Sequence, residues 1–168
     1  GYISIEAEHF SRKSEGKEGS WAIIEGLGRS GNSVTVLPQK ISRVATVSDI
    51  KKQSAALEYD IYAFTTGKVK IRLNCSPSNP INADYGLTLA VSVDDSEPKL
   101  ISYQRGNRDV MDNLMTIHGD LDIPESGEHV LKIWMVDPGV VIDKIIIDCG
   151  GVKESYFGPP ESFFRDKK

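Results

Sequence analysis

Cysteine is scarce. The 168 residues hold two, Cys75 and Cys149, which excludes a disulfide scaffold, and their separation excludes a zinc ribbon. One bridge between them stays open in an oxidising compartment. Two small buried thiols are the plainer reading, because unpaired cysteine is among the most buried residue types. The three histidines, His9, His118 and His129, are dispersed with no Glu-x-x-His spacing, so they make no zinc centre. There is no basic excess: 20 Lys and Arg stand against 24 Asp and Glu, a net charge of −4, which argues against a general nucleic-acid binder. No apolar run approaches the ~18 residues that span a membrane. No Gly-x-Ser-x-Gly elbow or phosphate loop is present. The chain opens at Gly1 directly into Tyr2-Ile3-Ser4-Ile5, without an initiator Met or a signal-peptide pattern, and reads as a piece of a longer polypeptide. It is too short for a large barrel enzyme of about 250 residues, yet long enough for one domain that buries roughly 70% of its unfolded surface.

Period-two alternation and β-branched runs dominate what is there. Ile3 to Glu8 alternates as a half-buried strand does. Ser33 to Leu37 is a second strand, stopped by Pro38. Ala56–Tyr62 and Lys68–Leu73 alternate on either side of Gly67 and read as an antiparallel hairpin with one solvated face. Ser76 to Asn82 is loop by composition. Leu87–Val93 is a strand, Asp94-Asp95 turns it, and Lys99–Tyr103 returns. From Gln104 to Ile117 the pattern is ambiguous; Val110, Met111, Leu114 and Met115 fit a helical spacing. Gly127–Val136 is a strand, Asp137-Pro138-Gly139 a turn, and Val140–Asp148 the last and strongest strand. Many short strands between turn signals mean an all-β sandwich or barrel. The expected organisation is a β-sandwich over 1–151 and an irregular tail over 152–168.

Glu6 and Glu8 point the same way from the first strand, because residues two apart share a face. Crowded like charges are costly unless a cation sits between them. Either they are a solvated face with lysine partners, or they hold a hard cation such as Ca²⁺ with an aspartate of the last strand, Asp143 or Asp148. Gly26-Leu27-Gly28-Arg29-Ser30-Gly31 is a tight loop by composition. Its Arg29 could pair bidentately with a uronate carboxylate or pin the loop to backbone carbonyls. Sugar sites need flat aromatic faces with a few polar groups. Trp21 suits that after the polar stretch Ser11–Ser20, though Ile23 and Ile24 beside it also suit a core tryptophan. Tyr85 lies in a loop with Asn82 and Asp84, and Trp134 belongs to a strand pattern and the core. The candidate glycan-binding set is Trp21, Arg29, Asn32 and Tyr85.

Ile5-Glu6-Ala7-Glu8, Leu57-Glu58-Tyr59 and Ile142-Asp143-Lys144-Ile145 resemble carbohydrate-binding modules of families 6 and 35. A closer similarity is to the C-terminal domain of glycoside hydrolase family 115, the xylan α-glucuronidases. It is carried by Ile5 to Phe10, Trp21 to Gly31, Val136 to Val141 and Tyr156-Phe157-Gly158-Pro159-Pro160-Glu161-Ser162. The resemblance spans nearly the whole chain. It departs between Asn107 and Leu121, where an expected aromatic is missing.

The resemblance implies a jelly-roll, galactose-binding-like β-sandwich that is not itself catalytic. It implies a structural calcium at Glu6 and Glu8, with Asp143 the third ligand because it falls at the matched motif position. The implied partners are a glucuronoxylan-type polysaccharide, the parent catalytic domain and a homodimer, with no nucleic acid and no membrane. A secreted or periplasmic location follows from the same resemblance. A free-standing calcium-dependent lectin-like module is the alternative. The apolar tail residues Tyr156, Phe157, Phe163 and Phe164 favour packing against another domain.

Overall fold

A computed structural model describes residues 1–104, 113 and 115–163. The elements in chain order are β1 (Tyr2–Glu6), β2 (Arg12–Ser14), β3 (Ser20–Ile24), β4 (Ser33–Leu37), α1 (Val47–Gln53), β5 (Ala56–Ala63), β6 (Gly67–Cys75), β7 (Thr88–Val93), β8 (Lys99–Ser102), β9 (Met115–Ile123), β10 (Gly127–Met135) and β11 (Val141–Asp148). They form two antiparallel sheets. One runs β3-β4-β11-β6-β9, with β1 also paired to β11; the other runs β2-β5-β10-β7-β8. The architecture is the β-sandwich that the alternating strands left open beside a barrel, of the jelly-roll type that the resemblance implies.

The inner faces follow from the period of two. Leu57, Tyr59 and Ile61 of β5 and Leu131 and Ile133 of β10 meet Ile71 and Leu73 of β6 and Ile145 and Ile147 of β11 in one core. A second, smaller core lies on the opposite face of the β5-β10-β7 sheet. There Ile50 of α1 covers Ala56, Ala90 and Trp134.

The expected hairpin of Ala56–Tyr62 with Lys68–Leu73 is not formed. β5 pairs with β10 and β2, and β6 pairs with β11 and β9. The chain crosses between sheets at Phe64–Thr66, where Gly67 takes φ +87°. Two amphipathic strands in sequence satisfy a hairpin and an inter-sheet arch equally well, so alternation could not choose between them. Of the helical spacing at Val110, Met111, Leu114 and Met115, only Met115 lies among the described residues, and it opens β9.

The last strand carries one irregularity that matters. Against β6, the register shifts between Ile142 and Lys144. Asp143 is the extra residue of this bulge, and it reverses the strand's parity. Ile142 faces the core before it; Ile145 and Ile147 face the core after it.

The tail has no helix or strand through Phe163, yet it is docked. Ser162 N–H donates to the Ser4 carbonyl at 2.8 Å, and Ser4 N–H donates to Ser162 Oγ at 3.0 Å. Ser4 Oγ donates to the Pro159 carbonyl, and Lys144 Nζ donates to the Phe157 carbonyl at 3.1 Å. The tail therefore covers the edge of β1 that β11 leaves open. Phe164 lies outside the described residues. Neither cysteine is in a disulfide: Cys75 is buried and Cys149 half-buried, and burial pushes the Cys75 thiol far up.

Candidate functional site

β11 serves two neighbours along one edge. Its first residues, Val141 and Ile142, pair with β4, and Lys144 to Asp148 pair with β1. The bulged Asp143 stands at the junction, its carbonyl accepting the Ala7 N–H at 3.0 Å. Glu6 and Glu8 arrive there from the end of β1, and the glycine-rich loop closes over all three carboxylates. Ser30 Oγ donates to Glu6 at 3.1 and 3.2 Å, and Asn32 N–H donates to Glu8 Oε1 at 2.7 Å. Close approach requires glycine: a Cβ on Gly28 would fall on Asp143 Oδ1, and one on Gly31 would fall on Glu8 Oε1. Both glycines also have positive φ, +134° and +59°.

The charges at this junction are unequally matched. Glu6 is paired with buried Lys144 at 2.9 Å. Glu8 Oε2 and Asp143 Oδ1 are buried with no hydrogen-bond partner. Burial, with some help from Glu6, pushes the Asp143 carboxyl above its ordinary range. Main-chain N–H groups of Arg29 and Ser30 and the Arg29 charge oppose this but do not prevail. Burial and the nearby Glu8 likewise raise the Tyr59 phenol, whose Oη donates to the Ala7 carbonyl at 2.7 Å. Buried carboxylate oxygens without partners are rare and call for a proton or a cation. Asp148, the other aspartate considered, is committed elsewhere: its Oδ1 accepts the N–H groups of Gly150, Gly151 and Val152, which hold it low. Among the described residues no group of three or more His, Cys, Asp or Glu is arranged to hold a metal.

The four residues expected to bind sugar do not assemble. Trp21 is only 2% exposed. Its Nε1 donates to the Ala55 carbonyl at 3.1 Å, so neither ring face is open to a pyranose, and the platform reading is corrected to a core tryptophan. Arg29 donates to the carbonyls of Cys75, Met115 and Tyr156, each at 3.3 Å, with its guanidinium 5.4 Å from the Tyr156 ring centre. It pins the loop to the tail and to β6 and β9, the structural alternative raised for it. Asn32 bonds within its own loop, Oδ1 accepting the Gly26 N–H at 2.9 Å. Tyr85 sits half-buried in the 76–87 loop, where its N–H donates to Asn82.

A different surface has the composition of a sugar site. A groove of about 1490 Å³ runs along the open side of the sandwich between β1 and β5. β2 covers β5 only as far as Glu58, and beyond that point Tyr62 and Phe64 project from the outer face. They are 51% and 86% exposed, with ring centres 4.8 Å apart and planes tilted by 54°. Phe163 borders the same groove and is 91% exposed. The sequence did carry a signal for this pair: Tyr62 and Phe64 occupy the outward phase of an alternating strand, where solvent-facing aromatics need a reason. A smaller cavity of about 250 Å³ lies between the turn at 16–19 and α1.

Comparison with known proteins agrees with this architecture. No curated protein matches the chain in sequence. Among solved structures, a family 115 4-O-methyl-α-glucuronidase with specificity for decorated arabinogalactans superposes with a TM-score of 0.59 at 22% identity, covering 83% of this chain and 17% of that one. A family 26 mannanase with a family 35 carbohydrate-binding module, from Podospora anserina, gives 0.58 at 15%, covering 95% and 29%. The C-terminal family 6 carbohydrate-binding module of a laminarinase from Zobellia galactanivorans gives 0.56 at 12%, covering 88% and 98%. The chain thus spans under a third of the two enzymes and nearly all of the isolated module. The family model described as the glycosyl hydrolase family 115 C-terminal domain matches residues 1–161, and the chain belongs to that family.

Proposed function

We propose that this domain is a non-catalytic accessory module of an extracellular polysaccharide-degrading enzyme. On this reading it holds a uronic-acid-decorated plant glycan, of glucuronoxylan or arabinogalactan type, for a catalytic domain elsewhere in the parent. The observation that carries the reading is the groove with the exposed Tyr62–Phe64 pair, in a fold shared with carbohydrate-binding modules. Exposed rings that can lie against a pyranose, flanked by polar groups, are what a sugar site needs. A second reading, packing on the parent's other domains, is favoured by the exposure of Phe163 and of Tyr156 and Phe157.

We also propose a structural calcium at the carboxylate junction. The two buried, partnerless oxygens of Glu8 and Asp143 support it, as does the glycine loop folded over them. Glu8 and Asp143 would be its side-chain ligands, with Glu6 bordering them. A hard cation with oxygen ligands suits such a donor set, and its role would be to hold the loop.

Calorimetric titration with glucuronoxylan, decorated arabinogalactan and undecorated xylan, each with and without chelator, tests both proposals. Heat with at least one glycan is expected, together with a thermal midpoint that chelator lowers in the native chain but not in Asp143→Asn. Absence of heat with every glycan, alongside binding to the parent's other domains, would turn the assignment to the packing role.

A further inference from the structure

We infer that the groove beside Tyr62 and Phe64 takes the neutral, hydroxyl-bearing backbone of a glycan and turns its uronic acid away. The inference rests on the glycan-binding reading above and narrows the ligand of the same surface.

Among the described residues the groove's lining includes Glu8, Asp60, Asp94, Glu128 and Glu161, and no lysine or arginine. Glu128 is exposed and stands directly opposite Tyr62 in the β5–β10 register. The two histidines in the lining already face acceptors. His9 Nδ1 meets Glu161 Oε1 at 2.8 Å, and His129 is buried between Asp94 and the Glu125 carbonyl. Arg12, the guanidinium partner of the groove's Asp60, is committed to Glu58 at 2.8 Å and to both oxygens of Asp60. Arg29, the expected partner for a uronate, donates to main-chain carbonyls away from this groove.

A carboxylate ligand would therefore find His129 and the Gly1 amino group already beside Asp94 and Asp148, and the exposed Glu128 to oppose it. Ionised Asp and Glu are acceptors only. A sugar's hydroxyls are donors, so a neutral chain can give hydrogen bonds to Glu128 while its rings lie on Tyr62 and Phe64. The 54° tilt between these two rings means that they cannot both lie flat on one planar face. They suit consecutive sugars of a chain that twists from one unit to the next.

The test is calorimetry of the full chain with a neutral xylo-oligosaccharide, the same oligosaccharide bearing one glucuronic acid, and the corresponding galactan pair, at low and high salt. The neutral member of a pair is expected to bind at least as tightly as its decorated partner, with affinity nearly independent of salt. Phe64→Ala should weaken it about tenfold. This side chain is almost wholly exposed, so an unchanged thermal midpoint will show that the fold is intact. Glu128→Lys should raise the preference for the uronate-bearing member about tenfold. Binding that requires the uronic acid, or that is indifferent to Phe64→Ala, overturns this inference and leaves the glycan-binding reading standing. Absence of binding to all four oligosaccharides overturns both.

Discussion

His129 is held toward its cationic form by its surroundings. Both ring nitrogens face acceptors, Nδ1 at 2.7 Å from Asp94 Oδ2 and Nε2 at 2.8 Å from the Glu125 carbonyl, which only the doubly protonated ring can satisfy. The Asp94 bond leads in raising its pKa, against the opposing effect of burial. Burial pushes Asp94 upward, but the His129 bond and the Val130 N–H outweigh it and hold that carboxyl low. A raised histidine gives stability that is complete below its unfolded value of about 6.5 and is lost as pH climbs through the folded value. A lowered aspartate gives stability present above about 3.9 and lost as pH falls through its depressed value. The pair therefore supports the fold best from about pH 4 to 6.5. The urea midpoint of the native chain should fall as pH rises past neutrality, and that slope should vanish in His129→Gln. Equal slopes in the two proteins would deny His129 this role. At this scale the sequence was only partly legible. Glu6 and Glu8 could be placed together because a two-residue spacing fixes which side of a strand a residue faces, whereas Asp143 was set above Asp148 only by the family resemblance. Trp21 could not be placed, because a tryptophan beside two isoleucines fits a core and a loop equally.

Among the elements, most alternating strands were readable, the short β1, β4 and β8 included, while β2, β3, α1 and the nine-residue β9 were not. β5, β6, β7, β10 and β11 lie within a residue or two of where period two puts them. β2 has three exposed residues, and α1 has seven with Ile50 alone buried; neither offers enough positions for a period to show. The bulge at Asp143 was invisible for a related reason. A run of β-branched residues reads the same with or without one extra member, and only the register against β6 reveals it. The tail shows the opposite failing, since composition marks it as irregular but says nothing of docking. Its bonds to β1 run in both directions at Ser4, and Glu161 Oε1 accepts the Glu6 N–H at 2.9 Å. Deleting residues 154–168 should remove these bonds, for a loss of about 3 kcal/mol at roughly 1 kcal/mol each. That corresponds to a fall of about 10 °C in Tm for a domain of this size. Hydrogen exchange should show the Ser4 and Glu6 amides losing protection while those of β10 keep theirs. Unchanged protection at Ser4 would mean that the tail is a passenger.

The whole molecule has two cores that share one stretch of backbone. Ala55 belongs to the core between the sheets and Ala56 to the smaller one beneath α1. The two are adjacent, so the chain enters β5 with one side chain in each. Ser54 Oγ donates to the Met135 carbonyl and Met135 N–H donates to Ala55, tying this segment to β10. Val44 packs against both clusters. Each core holds one tryptophan, Trp21 in the larger and Trp134 in the smaller, so each can be watched alone. If the shared backbone couples the cores, α1 cannot leave while the sandwich stays folded, and the domain unfolds as one unit. Trp134→Phe then reports the main core and Trp21→Phe the small one. Within each variant, the fluorescence transition in urea should coincide with loss of far-ultraviolet dichroism, as two-state unfolding requires. In Trp21→Phe, fluorescence that changed before the dichroism would mean that α1 opens first. The small core would then be a separate, weaker unit laid on the sheet.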